Sequence, residues 1–319
     1  MATYILRRLI QAIPILIGIS VIAFLIVHFA PGSPVDKFRS GRVNPALLEQ
    51  LMVLYGLDKP LPEQFASWFT AFWQFPFRED AWGYSFRDGR PVTSVIFERI
   101  PNTLQLMGSA LLVTTIISIP LGVLAAVKQY SLADKVISLL ATIGYAMPSF
   151  WLGLMLLFIF GVTLKLFPLY GRHTLGEDDL PDLLWHMVLP VTSLAIQQVA
   201  GWSRYMRSSM LEVLHQDYMR TAKAKGLASS RVIFKHGLRN ALIPIITLLG
   251  LTIPSLLAGA AITETIFSWP GLGFLAVQAV VGYDYPVVLA VVMIGGAMVI
   301  LGNLLADVLY GLVAPRIKY

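Results

Sequence analysis

Six stretches of this 319-residue chain are long and apolar enough to cross a bilayer, and they leave little else for it to fold into. They run over about 9–29, 103–127, 136–164, 183–203, 241–262 and 286–312. Each supplies the roughly 20 residues that a helix rising about 1.5 Å per residue needs to traverse the hydrocarbon core. In lipid every backbone N–H and C=O must be satisfied within the segment, so such runs fold as helix. Composition agrees. Charged residues make up 13% of the chain, against about 25% in a soluble domain. The sequence predicts an all-α polytopic membrane protein, a single transmembrane domain over 1–319. The fourth span is the weakest, because it holds His186, Gln197 and Gln198, and the third is interrupted by Pro148.

The opening "MATYILRRLIQAIPILIGISVIAFLIVHFAPG" has the basic start of a signal peptide. Its apolar run is too long for a signal h-region and no small-residue cleavage site follows, so it is expected to be the first, uncleaved span. Lys and Arg set the direction. With the N-terminus inside, the inner segments hold Arg7, Arg8, Lys128, Lys135, eight residues of the 204–240 loop, Arg316 and Lys318, which is 14 of 24. The outer loop 263–285 has none, and 165–182 has Lys165 and Arg172 against four acids. The outer stretch 30–102 holds the other eight, but long loops weigh little in this rule. Both termini and 204–240 are therefore expected in the cytoplasm. The net charge of +6 reflects this bias rather than nucleic-acid binding.

The polar stretch 30–102 is rich in aromatics, including Trp68, Phe69, Phe72, Trp73, Phe75, Phe77, Trp82, Tyr84 and Phe86. "NPALLEQLMVLYGL" and "PEQFASWFTAFWQF" each read as a short amphipathic helix. The stretch forms either a docking surface for an extracytoplasmic partner or a cap packed on the membrane face, and the two are compatible.

Missing chemistry narrows the class. The chain has no cysteine, which excludes disulfides and thiol chemistry. No acidic or basic residue lies near the middle of a span; Asp307 sits near the end of the sixth and Glu264 just beyond the fifth. Ion-coupled carriers keep such groups at the midplane, so a carrier or channel working alone is the weaker alternative. A phosphate-binding loop needs GxxxxGK[ST], and "GK" occurs nowhere. "GLGFLA" at 271–276 follows a span rather than a strand. Driving energy must then arrive through a partner.

"DYMRTAKAKGLASSRVIFKHGLRN", 217–240, offers a surface for one. It carries Arg220, Lys223, Lys225, Arg231, Lys235 and Arg239 against the single acid Asp217. "DYMRTAKAKG" predicts a short helix capped by Asp217 and stopped by a left-handed Gly226. Tyr218, Thr221, Ala222 and Lys225 share one face, where small residues would admit another surface. A second helix is expected from Ser229 or Ser230. The plain alternative is a basic loop held by anionic lipid.

The stretch resembles the cytoplasmic "EAA" loop of permease subunits in binding-protein-dependent ABC importers, with Ala222, Gly226 and Leu238 on matching positions. Arg220, Thr221, His236 and Arg239 depart from the general pattern toward the peptide and nickel branch, whose "YxRTAxAKG" and "LRNALIP" stand here as "YMRTAKAKG" and "LRNALIP". "ILRRLIQAIPILIGISVIAFLIVHFAPGSP" is similar to that branch's opening, with Ser33 where Asp is common, as are "YGLDKPLPEQ", "GRPVTSVIFERIPNT" and "ETIFSWPGLG" to its outer loops. Within that branch the chain resembles the first permease of dipeptide and oligopeptide importers. The resemblance implies the type I importer permease fold in a bacterial inner membrane. It also implies a homologous second permease, two cytoplasmic ATPases that bind ATP and Mg, an extracytoplasmic substrate-binding protein and a peptide substrate; nickel or another small solute is the alternative. Tyr218, Arg220, Thr221, Ala222, Lys223, Lys225, Gly226 and Leu227 would couple to the ATPases, carrying their motion into the fourth and fifth spans. No residue is expected to be catalytic or to hold a cofactor or metal.

Individual residues carry two readings each. Pro14, Pro120, Pro148, Pro190, Pro244 and Pro254 either kink spans around a cavity or are tolerated structurally. Pro244 and Pro254 are the stronger path candidates. His186, Gln197 and Gln198 line the path or join helices. Glu264 faces substrate or braces an outer hairpin turned by Trp269 and Pro270.

Overall fold

The computed structural model describes residues 2–29, 53, 58–75, 77–177, 179–258 and 260–313. The helix expected over 44–57 lies almost wholly outside them. The described residues are helical nearly throughout: α1 (Ala2–Phe29), α2 (Leu61–Phe72), α3 (Val92–Val127), α4 (Leu132–Ala146), α5 (Ser149–Leu156), α6 (Leu180–Leu214), α7 (Asp217–Ala224), α8 (Ser229–Arg231), α9 (Leu238–Ala241), α10 (Ile243–Ala258), α11 (Ala261–Ile266), α12 (Leu272–Val281) and α13 (Tyr285–Val313). Wider π-helical turns follow α5 (Leu157–Thr163) and α8 (Val232–Gly237).

Among the described residues four helices are long and apolar enough to span a membrane: Leu6–Phe29, Val92–Val127, Leu180–Leu214 and Tyr285–Asp307. The number rises to six only if each of two bent pairs is one span: Leu132–Ala146 with Ser149–Thr163 at 104°, and Ser229–Ala241 with Ile243–Ser255 at 41°. The four long helices overlap the first, second, fourth and sixth expected spans; the bent pairs overlap the third and the fifth, the latter beginning at Ser229 rather than near 241. Pro148 marks the first bend: it cannot donate to the preceding turn, and it starts α5 with extended backbone. Of these four helices Leu180–Leu214 is again the least apolar and the most enclosed, with half of its apolar stretch buried, which lets it carry polar side chains. Its end differs from expectation. Hydropathy stops near 203, yet α6 continues to Leu214, so Arg204 and Arg207 stand on helix rather than in a loop. Their long side chains find partners on α4: Arg204 lies 4.4 Å above the Tyr145 ring, and Arg207 pairs with Asp134.

The chain divides into two compact units. The first comprises Met1–Thr103, Leu257–Ala261 and Pro270–Leu304. Its core gathers Trp82, Val92, Ile96, Leu272, Leu275 and Val287. The Trp82 ring stacks on Phe72 at 4.9 Å and its Nε1 donates to the Phe72 carbonyl at 3.0 Å. Phe65 and Trp68 of α2 pack against Phe24 of α1. Among the described aromatics of this stretch Trp82 is buried and Phe65, Trp68, Phe69, Phe72, Phe75 and Phe86 are partly covered, while Trp73, Phe77 and Tyr84 remain exposed. The loop 83–91 is pinned from inside: the buried Asp284 accepts from the Phe86 backbone N–H at 3.0 Å and from the Ser85 hydroxyl. At its rim Arg78 donates to Asp80 at 2.9 Å, and this hydrogen bond holds the Asp80 carboxyl below its ordinary range.

The second unit comprises Leu104–Leu256, Ile262–Trp269 and Leu305–Tyr319. Here α4 and α3 both pack on α6. Val123 and Ala126 meet Trp202, Met206 and Met210, and Leu106 and Ala110 meet Leu183, Met187, Val191 and a fully buried Trp269. Gly122 sets the α3–α6 approach: a Cβ there would stand 2.5 Å from the Met206 Cβ and 2.7 Å from the Ser203 carbonyl oxygen.

Candidate functional site

The basic segment after α6 folds as expected in outline and differs in which face it shows. α7 begins after Gln216, the actual cap residue, whose side chain makes no capping bond; Asp217 sits inside the first turn instead. A carboxylate there still favours the helix through the dipole. The helix stops at Gly226 with φ +75, the left-handed conformation that a glycine tolerates best. The second helix starts at Ser229.

Met219 and Ala222 are buried against Val232, with Val213, Leu214 and Leu227 alongside. The expectation that Ala222 lies on an open docking face is therefore corrected. Its methyl group is part of the clasp that holds α7 onto its own chain, because 219 and 222 form the only apolar i, i+3 pair the helix has to bury. Leu227 supports the same clasp. Tyr218 is half-exposed, and its hydroxyl accepts from Asn240 Nδ2 at 3.1 Å. The outward face carries Arg220, Thr221, Lys223 and Lys225. Arg220 lies 3.8 Å from Asp217, both largely in solvent, so the pair contributes little. The clasp is tight behind: a Cβ on Gly237 would meet Met210 Cε at 2.9 Å and Met219 Cε at 3.3 Å. A basic, exposed face is thus packed onto the end of α6.

The expected path residues do not converge on one cluster. His186 is buried, and its Nδ1 bonds the Asp182 carbonyl at 2.9 Å. Asp182 also accepts from the Thr174 backbone and hydroxyl at 2.9 and 2.7 Å. Gln197 donates to the Met147 carbonyl, an oxygen that the Pro148 break deprives of its helical partner, so this side chain braces the bend. Oε1 of Gln198 is buried without a partner. Pro244 opens α10 and is exposed, whereas Pro254 lies inside α10 and is buried. Glu264 is fully enclosed, and its carbonyl accepts from the Trp269 N–H at 2.8 Å across the turn.

Two groups were not anticipated. One is the buried Asp134–Arg207 pair, whose members are 73 residues apart in sequence. The other is Thr114 and Ser118 on α3, fully buried with unpartnered hydroxyls. Their four-residue spacing, continued by Gly122, was the available signal.

Residues 118–319 match the family described as binding-protein-dependent transport system inner membrane component, and residues 1–107 match its N-terminal counterpart. Over its whole length the chain is 46% identical to the whole of the oligopeptide transport system permease protein AppB of Bacillus subtilis. It is 42% identical, again end to end, to 99% of the dipeptide transport system permease protein DppB of Escherichia coli. The di/tripeptide transport system permease protein DppB of Pseudomonas aeruginosa shares 38% over the full chain and 99% of its own length. Among solved structures, a chain of the MetNI methionine ABC transporter in an inward-facing conformation is similar in fold, with a TM-score of 0.57 over 70% of this chain and 98% of that one at 17% identity.

Proposed function

Because the chain belongs to the family of binding-protein-dependent transport system inner membrane components, we propose that it forms half of the membrane pathway of an ABC importer for dipeptides and oligopeptides. It is a multi-pass protein of the bacterial inner membrane and the permease subunit of an ABC transporter. The observation that carries the substrate class is the end-to-end likeness to permeases named for peptide transport.

The coupling arm supports the assembly. The basic outer face of α7, Arg220, Thr221, Lys223 and Lys225, together with the Gly226 stop, docks in a groove of a cytoplasmic ATPase, while Met219, Ala222 and Leu227 keep the arm attached to α6. ATP and Mg bind in the two ATPases. A homologous second permease completes the pathway, and a binding protein outside delivers the peptide. Nucleotide-driven closure of the ATPases then shifts α7 as a rigid piece, and α6 with it, which biases the pathway between its two openings.

Reconstitution decides. Proteoliposomes holding the chain with the second permease, both ATPases and the binding protein should take up a labelled dipeptide only with ATP. Flux through the chain alone, without ATP, would make it a self-sufficient carrier; uptake of nickel in place of peptide would remove the substrate assignment.

A further inference from the structure

Thr114 and Ser118 stand one turn apart on α3, fully enclosed, and neither hydroxyl has a hydrogen-bond partner. A helical hydroxyl ordinarily donates to the carbonyl four residues back, as Thr115 beside them does to Leu111 at 2.8 Å. On α6, Oε1 of Gln198 is likewise buried and unpartnered. Packing puts the three at one level. Toward one end of α3, Leu106 and Ala110 meet Leu183, Met187 and Val191 of α6. Toward the other, Val123 and Ala126 meet Trp202 and Met206. Rising positions on α3 thus go with rising positions on α6, so the helices run parallel; Gly122 lies against Ser203 and Met206, and one and two turns back from it Ser118 and Thr114 fall beside the turns 195–202 of α6, which carry Gln198.

Buried polar groups without partners are rare because each forfeits its hydration for nothing. Three at one level of two packed helices imply a second arrangement in which they are satisfied. Room for it exists: a cleft of about 300 Å³ opens on the adjoining face of α3, where Val113 and Ile117 face Ile137 and Leu140 of α4 and Ala195 and Val199 of α6.

We propose that Thr114, Ser118 and Gln198 are pathway groups occluded in this conformation, and that they meet the backbone of a passing peptide when α3 and α6 turn against each other. Hydroxyls donate to peptide carbonyls and the Gln198 oxygen accepts from peptide N–H groups. None of them is charged, so the set reads what all peptides share and ignores their side chains. The inference rests on the reading that a peptide crosses through this chain.

The chain has no cysteine, so single thiols report without background from it. Thr114→Cys and Ser118→Cys, near-isosteric changes, are assembled with the partner subunits in proteoliposomes. A membrane-impermeant methanethiosulfonate is applied nucleotide-free and after trapping with ATP and vanadate, and modification is read as the mass of this chain. Modification at least tenfold faster in one state than in the other is expected, slowed by excess transported dipeptide. Leu112→Cys, 61% exposed on another face of α3, should stay unmodified in both. No reaction in either state, or equal rates in both, overturns the assignment. Uptake by the same vesicles separates the two readings. Dipeptide import with unreactive thiols removes only the occluded pathway groups, and state-dependent thiols with import of another solute remove only peptide as the cargo.

Discussion

Arg207 grips Asp134 with two parallel hydrogen bonds, Nε to Oδ1 at 2.7 Å and Nη2 to Oδ2 at 2.8 Å. The pair ties the first turn of α4 to α6, and Asp134 is nearly enclosed. Its Oδ2 also accepts from the Tyr130 N–H at 2.9 Å, which holds Tyr130 at φ +64 in the turn before α4. One carboxylate therefore fixes a turn, a helix start and a helix–helix contact.

Asp134→Ala should strand the guanidinium and release the turn. Breaking a buried pair costs roughly 3–5 kcal/mol; with the Arg207 side chain 26% exposed, a loss of about 2–3 kcal/mol is expected. Thermal unfolding in detergent measures it. Arg207→Lys should also destabilise, because an ammonium cannot make both bonds at once. If both variants melt with the wild type, the pair is not structural.

Gly122→Ala should force α3 from α6. The added methyl meets a backbone oxygen as well as Met206, so rotamer changes alone cannot relieve it, and overpacking of this kind costs about 1–3 kcal/mol. Gly108→Ala on the same helix meets nothing within 4 Å and should be neutral or slightly stabilising. The ordering of the two melting temperatures is the test.

The two faces of α7 should separate attachment from coupling. Met219→Ala empties a fully buried site and should loosen the arm by about 2 kcal/mol, raising hydrogen exchange across 217–226. Ala222→Glu, which buries a charge against Val232, should do the same. Arg220→Glu and Lys223→Glu leave the clasp intact; they should keep stability while lowering ATP-dependent uptake several-fold. Normal uptake by both charge reversals would leave the outer face without a partner.

Asp284→Ala should free the 83–91 loop, since Ser85 and Phe86 lose their shared acceptor. Limited proteolysis should then cut near Gly89 while the spans stay intact. An unchanged digestion pattern would mean that core packing around Trp82 suffices.

Orientation is tested with reporters. A fusion after Arg231 should behave as cytoplasmic and one near Trp82 as extracytoplasmic. The reverse at either site would break the inside-positive assignment.

The sequence by itself determined which stretches are helical and apolar enough to cross, because that depends on the summed apolarity of about 20 neighbouring residues and the sum is local. It also placed the Pro148 break and the left-handed Gly226 stop, since both follow from one residue's allowed dihedrals. Tertiary structure decided the rest. Ala222 turns inward because Val232 and Leu214 approach it from other segments. α6 outruns its apolar stretch to Leu214 because Asp134 and Tyr145 of α4 receive its arginines. Gln197 serves the Met147 carbonyl only because a bend 50 residues away in sequence is carried alongside it. The enclosure of Thr114 and Ser118 depends on where α6 lies. A side chain's periodicity states which residues share its face; which neighbour covers that face is a property of distant chain brought close, and no local sum contains it.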